Sequence, residues 1–191
     1  MKKMKLNIRE FIKYKLLNSL FLGISVGSIF ILYAPLEPSV YSLGGIFLAL
    51  AMLVVAKFYY KILNIDYFFK ISLFIEIVLL LAISYFLLFS YSYSTAFIIY
   101  IGYQITFTFG SFLIRAETLF LKYSKPLELV DVAKQKGYLL GMLISYVFYQ
   151  LLEYYFGITN KQTQVYVIHF LLLLSQVSII YYLLKSFKRI S

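Results

Sequence analysis

Cysteine is absent from this 191-residue chain, tryptophan is absent too, and histidine occurs once. Without thiols the chain cannot form disulfides, thiolate metal sites or thiol redox centres, and one imidazole with no other clustered ligand predicts neither a metal site nor a cofactor. Acidic residues are scarce as well, eight against 18 Lys and Arg. In a soluble protein the resulting charge of +10 would point to nucleic acid. We expect no nucleic-acid partner here, because the chain is 62% hydrophobic and its charges fall in short breaks between long apolar runs.

Positive charge alternates from break to break along the chain. If the breaks are numbered alternately inside and outside, 17 of the 18 basic residues fall inside and only Lys161 falls outside. The inside residues are Lys2, Lys3, Lys5, Arg9, Lys13, Lys15, Lys57, Lys61, Lys70, Arg115, Lys122, Lys125, Lys134, Lys136, Lys185, Lys188 and Arg189. Basic residues in short loops resist translocation, so both termini should face the cytoplasm. The pattern predicts a multi-pass protein of the cytoplasmic (inner) membrane, with the lipid bilayer as its first partner.

The apolar runs predict an all-α polytopic membrane protein with six transmembrane helices in one bundle and a single domain, 1–191. A helix needs about 20 residues to cross a bilayer. The expected spans are about 16–33, 40–56, 71–89, 96–114, 137–156 and 165–184, with outside turns near Glu37, Tyr93 and Lys161. Residues 1–15 form an amphipathic cytoplasmic segment, either a helix lying on the inner leaflet or a plain topology anchor. Pro126 is expected to open a second short amphipathic helix before the fifth span.

Helix four carries the clearest polar stripe of the chain. Tyr100, Gln104, Thr108, Ser111 and Arg115 are spaced by three or four residues, which places them on one helical face. Polar groups are costly against lipid, so this face should point inward. It either lines a solute path or makes hydrogen bonds between helices within a solid bundle.

Small residues form two further stripes, one on helix one and one on helix five. The first is Ser19, Gly23 and Gly27, and the second is Gly137, Gly141 and Ser145. Small side chains let two helix backbones approach closely. Each stripe is therefore a predicted packing face, with its partner in the same chain or in another copy.

Three ionisable residues are the candidate charges within the membrane. Glu76 lies about 9 Å inside the inner boundary at 1.5 Å per residue, where Arg115 could pair with it and lower the cost of both charges. Glu153 and His169 should lie at similar depth near the outside. They could relay protons, or His169 could reach toward the outer interface while Glu153 is hydrated.

Catalysis is not expected. A membrane serine hydrolase needs a nucleophile held close to a general base, but the available pair, Ser111 and His169, is expected at opposite membrane boundaries. The chain also has no glycine-rich phosphate loop, and with no cysteine and one histidine it has too few candidate ligands for a metal site. The sequence therefore predicts that this protein is not an enzyme.

Six helices with both ends inside, and a long basic loop between helices four and five, resemble one half of a major facilitator transporter. The best local match runs from Arg115 to Ser145, RAETLFLKYSKPLELVDVAKQKGYLLGMLIS. In that family helix four often ends with Arg and leads through a basic loop into a glycine-spaced fifth helix. The loop between helices two and three, AKFYYKILNIDYFFK, departs from the family signature because it contains no glycine and no Asp-Arg cluster.

The resemblance implies a half-size transporter-like module that moves a small solute after pairing with a second half, either a second copy of the chain or a separate six-helix chain. Helices one and four would then line the path, and helices two and five would meet the other half. The alternative is a small membrane protein that binds or scaffolds a membrane partner without transport. A lipid-interacting role is a third possibility. The sequence does not identify a substrate.

Overall fold

The computed structural model describes residues 3–190 of the chain. Lys2 and the side chains of Lys3 and Arg189, counted above among the expected cytoplasmic cations, lie outside the described residues. The elements in order are β1 (Lys3–Leu6), α1 (Ile8–Tyr33), α2 (Pro38–Lys57), α3 (Tyr59–Ile62), α4 (Ile65–Leu88), α5 (Tyr93–Thr108), α6 (Gly110–Leu121), α7 (Ser124–Tyr154), α8 (Lys161–Ser186) and β2 (Phe187–Ile190). The predicted all-α class is confirmed.

Within residues 3–190, five stretches of helix are long and apolar enough to cross a membrane, which supports a multi-pass membrane protein. They are Ile8–Tyr33, Pro38–Lys57, Ile65–Leu88, Tyr93–Leu121 and Lys161–Ser186. The expected span 137–156 forms the second half of α7, which does not meet that standard. The reason is its composition: tyrosines, glycines, Gln150 and Glu153 interrupt the leucines of that half.

Local sequence explains where the apolar helices begin. Pro38 occupies the first turn of α2, where a missing N–H costs nothing. Asn64, Ser92 and Asn160 cap α4, α5 and α8 by accepting hydrogen bonds from backbone N–H groups of the first turn. Each cap satisfies donors that would otherwise be unpaired at a helix end.

The centre of the fold is a bundle of α1, α4, α7 and α8. α1 packs most extensively against α7 and then against α8, and α8 also packs against α4. α5 lies beside α4, and α2 reaches the bundle mainly through α5. α2, which the structure describes in full, has no buried residue. α2 is therefore a peripheral helix, and most of its apolar surface is exposed rather than packed against other helices.

The two ends of the chain lie side by side. β1 pairs with β2 in antiparallel register, with Met4 opposite Arg189 and Leu6 opposite Phe187. The Asn7 N–H also donates to the Ser186 carbonyl at 2.7 Å. Both termini of the described chain therefore emerge at the same end of the bundle.

The segment before the first span differs from the expected surface helix. Residues 3–6 are extended, and α1 then continues without interruption from Ile8 into the apolar run. Phe11 is fully buried and packs edge-on against Phe68 and Phe187. This segment is attached to the bundle because its aromatic side chains are buried in the core. Similarly, Pro126 does not open a separate short helix, since it lies in the first turn of the 31-residue α7.

Helix four is interrupted at Phe109. The Phe109 N–H bonds back to the Thr106 carbonyl at 3.3 Å, and the Leu113 N–H bonds to the Phe109 carbonyl at 2.9 Å. α5 therefore ends at Thr108 and α6 starts anew at Gly110. The polar stripe predicted on one continuous helix is divided between two segments.

Candidate functional site: a buried polar cluster around Glu76

Glu76 lies at the middle of the bundle and is 1% exposed. Its Oε1 accepts hydrogen bonds from the Tyr14 hydroxyl at 2.7 Å and from Asn18 Nδ2 at 3.0 Å, both on α1. Its Oε2 accepts one from Gln176 Nε2 on α8 at 2.8 Å. A buried carboxylate is costly unless it is well hydrogen-bonded. Three donors from two other helices supply that compensation.

Gln176 connects α8 to both the side chain and the backbone of α4. Its Nε2 also donates to the Glu76 carbonyl at 2.9 Å, and the residue is fully buried. Its Oε1 has no hydrogen-bond partner among the described residues. The cluster thus joins α1, α4 and α8 through one acidic group and leaves one buried acceptor free.

A second buried carboxylate, Glu117 on α6, lies between two lysines. Its Oε2 is 2.6 Å from Lys15 Nζ on α1, and its Oε1 contacts Lys134 Nζ on α7. Burial lowers the pKa of Lys134, but hydrogen bonds and charge from Glu117, and then from Asp131, outweigh it and raise the pKa above its usual value. This ion-pair group ties α1, α6 and α7 together at the end of the bundle that carries most of the basic residues.

The small-residue stripes lie against each other within this chain. A Cβ added to Gly137 would overlap the Leu16 carbonyl, and one added to Gly141 would overlap the Leu20 carbonyl. A Cβ on Gly23 would lie 3.0 Å from the Gly141 Cα. Because residue numbers rise together along both helices, α1 and α7 are parallel neighbours.

The outer members of the two stripes are less tightly enclosed. A Cβ on Gly27 would meet the Tyr149 ring at 3.3 Å and the Ser145 Oγ at 3.9 Å. Ser145 itself is buried, whereas Ser19, one turn before Gly23, is partly buried. The closest approach of the two backbones therefore lies toward the cationic end.

The proposed pair of Glu76 with Arg115 is not formed. Glu76 is enclosed by its three donors, whereas Arg115 is exposed and its guanidinium lies over the Tyr59 ring at 5.8 Å. The reason is helical phase: Arg115 follows the break at Phe109 and points away from the bundle centre.

Glu153 and His169 are not brought together. Glu153 is exposed on α7. His169 is buried on α8, with Nδ1 2.6 Å from the Val165 carbonyl and its ring 4.2 Å from the Phe86 ring. The imidazole therefore packs inward against α4 and does not extend to the outer interface.

The helix-four stripe divides at the break in the helix. Tyr100, Gln104 and Thr108 face α2 and line part of an apolar groove of about 400 Å³ between α2 and α5. Ser111 and Arg115, on α6, are exposed beyond the end of that groove. Thr108 is satisfied by the carbonyl of Gln104 at 2.9 Å, while Gln104 Oε1 is buried without a partner in the described chain. The structure therefore brings three of the five stripe residues to one surface.

Sequence reasoning did not find four members of the buried clusters: Tyr14, Asn18, Gln176 and Glu117. Asn18 and Gln176 are strongly polar residues inside expected spans, so the sequence alone could have marked them as buried hydrogen-bonding residues. Their contact with Glu76 could not be predicted, because they are 58 and 100 positions away from it in the sequence. Glu117 falls in the basic segment between the fourth and fifth expected spans, where no sequence pattern marks it as buried.

No protein-family model matches this chain, and neither a curated protein nor a solved structure is significantly similar to it. The assignment of class therefore rests on the fold alone. Several long apolar helices around hydrogen-bonded polar side chains identify an all-α protein and support the multi-pass membrane class.

Proposed function

We propose that the chain crosses the cytoplasmic membrane six times with both termini in the cytoplasm. Pairing of β1 with β2 supports an even number of crossings, since it holds both ends at one end of the bundle. The five apolar spans then require a sixth. The second half of α7 is the natural candidate, because it lies parallel to α1 along the apolar length of that span.

Contacts at the opposite end of the bundle support the same topology. The Tyr91 hydroxyl contacts the Gln162 carbonyl, and the Tyr166 hydroxyl donates to the Leu87 carbonyl at 3.2 Å. These contacts join the end of α4 and the turn that follows it to the start of α8, all at the end expected outside. Lys161, the one basic residue expected outside, is the first residue of α8 at this same end.

Within that topology, the geometry favours a compact membrane protein that binds or scaffolds a membrane partner over half of a transporter. One observation carries this proposal: the polar groups deepest in the bundle are used to hold helices together. Both carboxylate oxygens of Glu76 accept hydrogen bonds from α1 or α8, and the residue is almost completely buried from solvent. Such a network stabilises a solid bundle.

The features expected of a transporter half are arranged differently. The glycine face of helix five, expected to meet a second half, packs against α1 of the same chain. The helix-four stripe, expected to line a central path with helix one, faces peripheral α2 across a groove with an almost wholly apolar lining. Packing of this kind supports a binding role more than a solute path.

Cysteine scanning tests this proposal cleanly, because the chain has no native cysteine. Single cysteines at Gln104 and Thr108 should resist a membrane-impermeant maleimide applied to both faces of the membrane. A cysteine at Lys161 should react and provides the positive control, and one at Leu113 provides a protected control. Rapid labelling at both Gln104 and Thr108, equal to that at Lys161, would support a water-filled path and count against the scaffold.

A transporter half remains the second candidate, and Glu76 is the observation in its favour. An ionisable residue inside a span is a common element of proton and ion pathways, and no donor among the described residues reaches Gln176 Oε1 beside it. Such a carrier would assemble as a homo-oligomer or with a second six-helix chain. Chemical cross-linking in native membranes, followed by mass measurement, tests this: a strict monomer would exclude alternating access by two halves.

A further inference from the structure

The groove between α2 and α5 is open to the surface that faces lipid. Its lining includes Leu43, Phe47 and Ala51 from α2 and Ile101, Gln104 and Thr108 from α5. Its volume, about 400 Å³, is within the range of ~300–1,000 Å³ found for small-ligand sites. In a bilayer, the apolar molecule that is present everywhere at this depth is a lipid acyl chain.

Three tyrosines pack together beside the outer part of the groove. The Tyr100 ring lies against Gly44 and packs edge-on to Tyr33 and Tyr41, with centroids 5.6 and 5.4 Å away. The Tyr41 hydroxyl donates to the Tyr33 carbonyl at 2.8 Å. No charged residue appears in the lining of the groove among the described residues, so the headgroup of a lipid in the groove must find its partners beyond one of its ends.

Basic residues surround the opposite end. α2 and α5 run in the same direction, so Ala51 and Thr108 lie at the same end of the groove. Lys57 follows Ala51 by about 9 Å of helix, at 1.5 Å per residue, and is the last residue of α2. Arg115 lies seven residues beyond Thr108, and α6, which carries it, contacts α2.

The third cation and its aromatic neighbours complete this surface. Lys61 on α3 is exposed, with Nζ 5.4 Å from the Tyr60 ring centroid, and Arg115 lies over Tyr59. Within residues 3–190, no carboxylate forms an ion pair with Lys57, Lys61 or Arg115. Positive charge at the mouth of an apolar groove is complementary to a lipid phosphate and its acyl chain.

We infer that the groove between α2 and α5 is a binding site for an anionic phospholipid of the cytoplasmic leaflet, with one acyl chain along Phe47, Gln104 and Thr108 and the phosphate at Lys57 and Arg115. The inference rests on the topology proposed above, which puts Lys57 and Arg115 on the cytoplasmic side. It does not depend on whether the protein scaffolds or transports. Basic pockets between transmembrane helices on the cytoplasmic side are a recognised site type for such headgroups.

Fluorescence quenching tests the site, because the chain has no native tryptophan. Phe47→Trp places one reporter in the groove, and Val147→Trp places a matched reporter at about the same depth on the exposed face of α7. Full-length protein is reconstituted in vesicles of phosphatidylcholine, with brominated-acyl phosphatidylglycerol or brominated-acyl phosphatidylcholine as the quencher. The groove reporter should be quenched more strongly by the anionic lipid, whereas the α7 reporter should show no preference.

Charge variants decide whether the preference comes from the proposed cations. In the groove reporter, Lys57→Gln with Arg115→Gln should reduce the relative affinity for the anionic lipid by about fivefold for each charge removed. Lys136→Gln, an exposed cation on α7, should leave it unchanged. Helical circular dichroism of each variant verifies that the protein has folded.

Three results would overturn the inference. The first is equal quenching by both lipids at the groove reporter. The second is an anionic preference that survives the double charge variant. The third is a groove reporter that neither lipid quenches while the α7 reporter is quenched, which would mean that a protein segment fills the groove. If the anionic preference is absent while cysteines at Gln104 and Thr108 stay protected, the lipid site fails and the scaffold proposal stands.

Discussion

The contact between α1 and α7 offers the sharpest test of the packing, through Gly141→Ala. The new Cβ would overlap the Leu20 carbonyl and lie 3.0 Å from both the Gly23 Cα and the Ile24 nitrogen. All three are backbone atoms, so no side chain can rotate away to relieve the overlap. The two helices must separate instead, and contacts along their shared length weaken.

The expected size of the effect follows from two opposing terms. Alanine is favoured over glycine inside a helix by about 1 kcal/mol, whereas inserting an atom into a well-packed core costs about 1–3 kcal/mol and sometimes more. Because the three atoms nearest the new Cβ are all backbone atoms of α1, the upper part of that range, about 2–3 kcal/mol, should apply, and the net loss should be about 1–2 kcal/mol. Gly45→Ala is the matched control, since a Cβ at Gly45 on α2 meets nothing within 4 Å.

The measurement is the free energy of unfolding in mixed detergent micelles, from helical circular dichroism during titration with a denaturing detergent. Gly45→Ala should be neutral or slightly more stable than the parent, while Gly141→Ala should be less stable and Gly141→Leu more damaging still. Equal stability of the Gly45→Ala and Gly141→Ala proteins would show that the two helices are not in close contact and would refute the reasoning.

Three further outcomes are expected. Reporter fusions at Tyr93 and Lys136 should show opposite sidedness, and identical sidedness would contradict the six-span topology. Glu117→Gln should lower the unfolding free energy by about 3–5 kcal/mol, because it leaves buried lysine charge uncompensated. Glu128→Gln should change it little, because the exposed ion pair that it removes contributes about 0–1 kcal/mol. Similar losses for the two variants would show that the buried ion pairs do not stabilise the fold. Glu76→Leu should cost more stability than Glu76→Gln, since leucine leaves the Tyr14 hydroxyl and Asn18 Nδ2 without their acceptor at about 1–3 kcal/mol each. Equal losses would argue that the cluster does not hold the helices together.

Some features of this protein follow from its sequence alone. Long apolar runs are poorly solvated by water. The helical class, and five helices of the described chain that are long and apolar enough to span a membrane, could therefore be predicted from composition and length. The small-residue stripes were recognisable as packing faces because glycine and serine at four-residue spacing present little bulk. Glu76 stood out because a lone carboxylate in an apolar span needs a partner.

Other features were decided only by the tertiary structure. Which groups surround Glu76 depends on how α1, α4 and α8 are rotated about their axes, and apolar runs that are hydrophobic on every side do not specify that rotation. From the sequence, Arg115 was the expected partner of Glu76, because both lie in one expected hairpin. In the folded protein the partners of Glu76 are Tyr14, Asn18 and Gln176. The break at Phe109 likewise divides a polar stripe that four-residue spacing had joined. Periodicity reports which residues share a face of one helix, but the neighbour of that face is set by the competition among all helices for close packing.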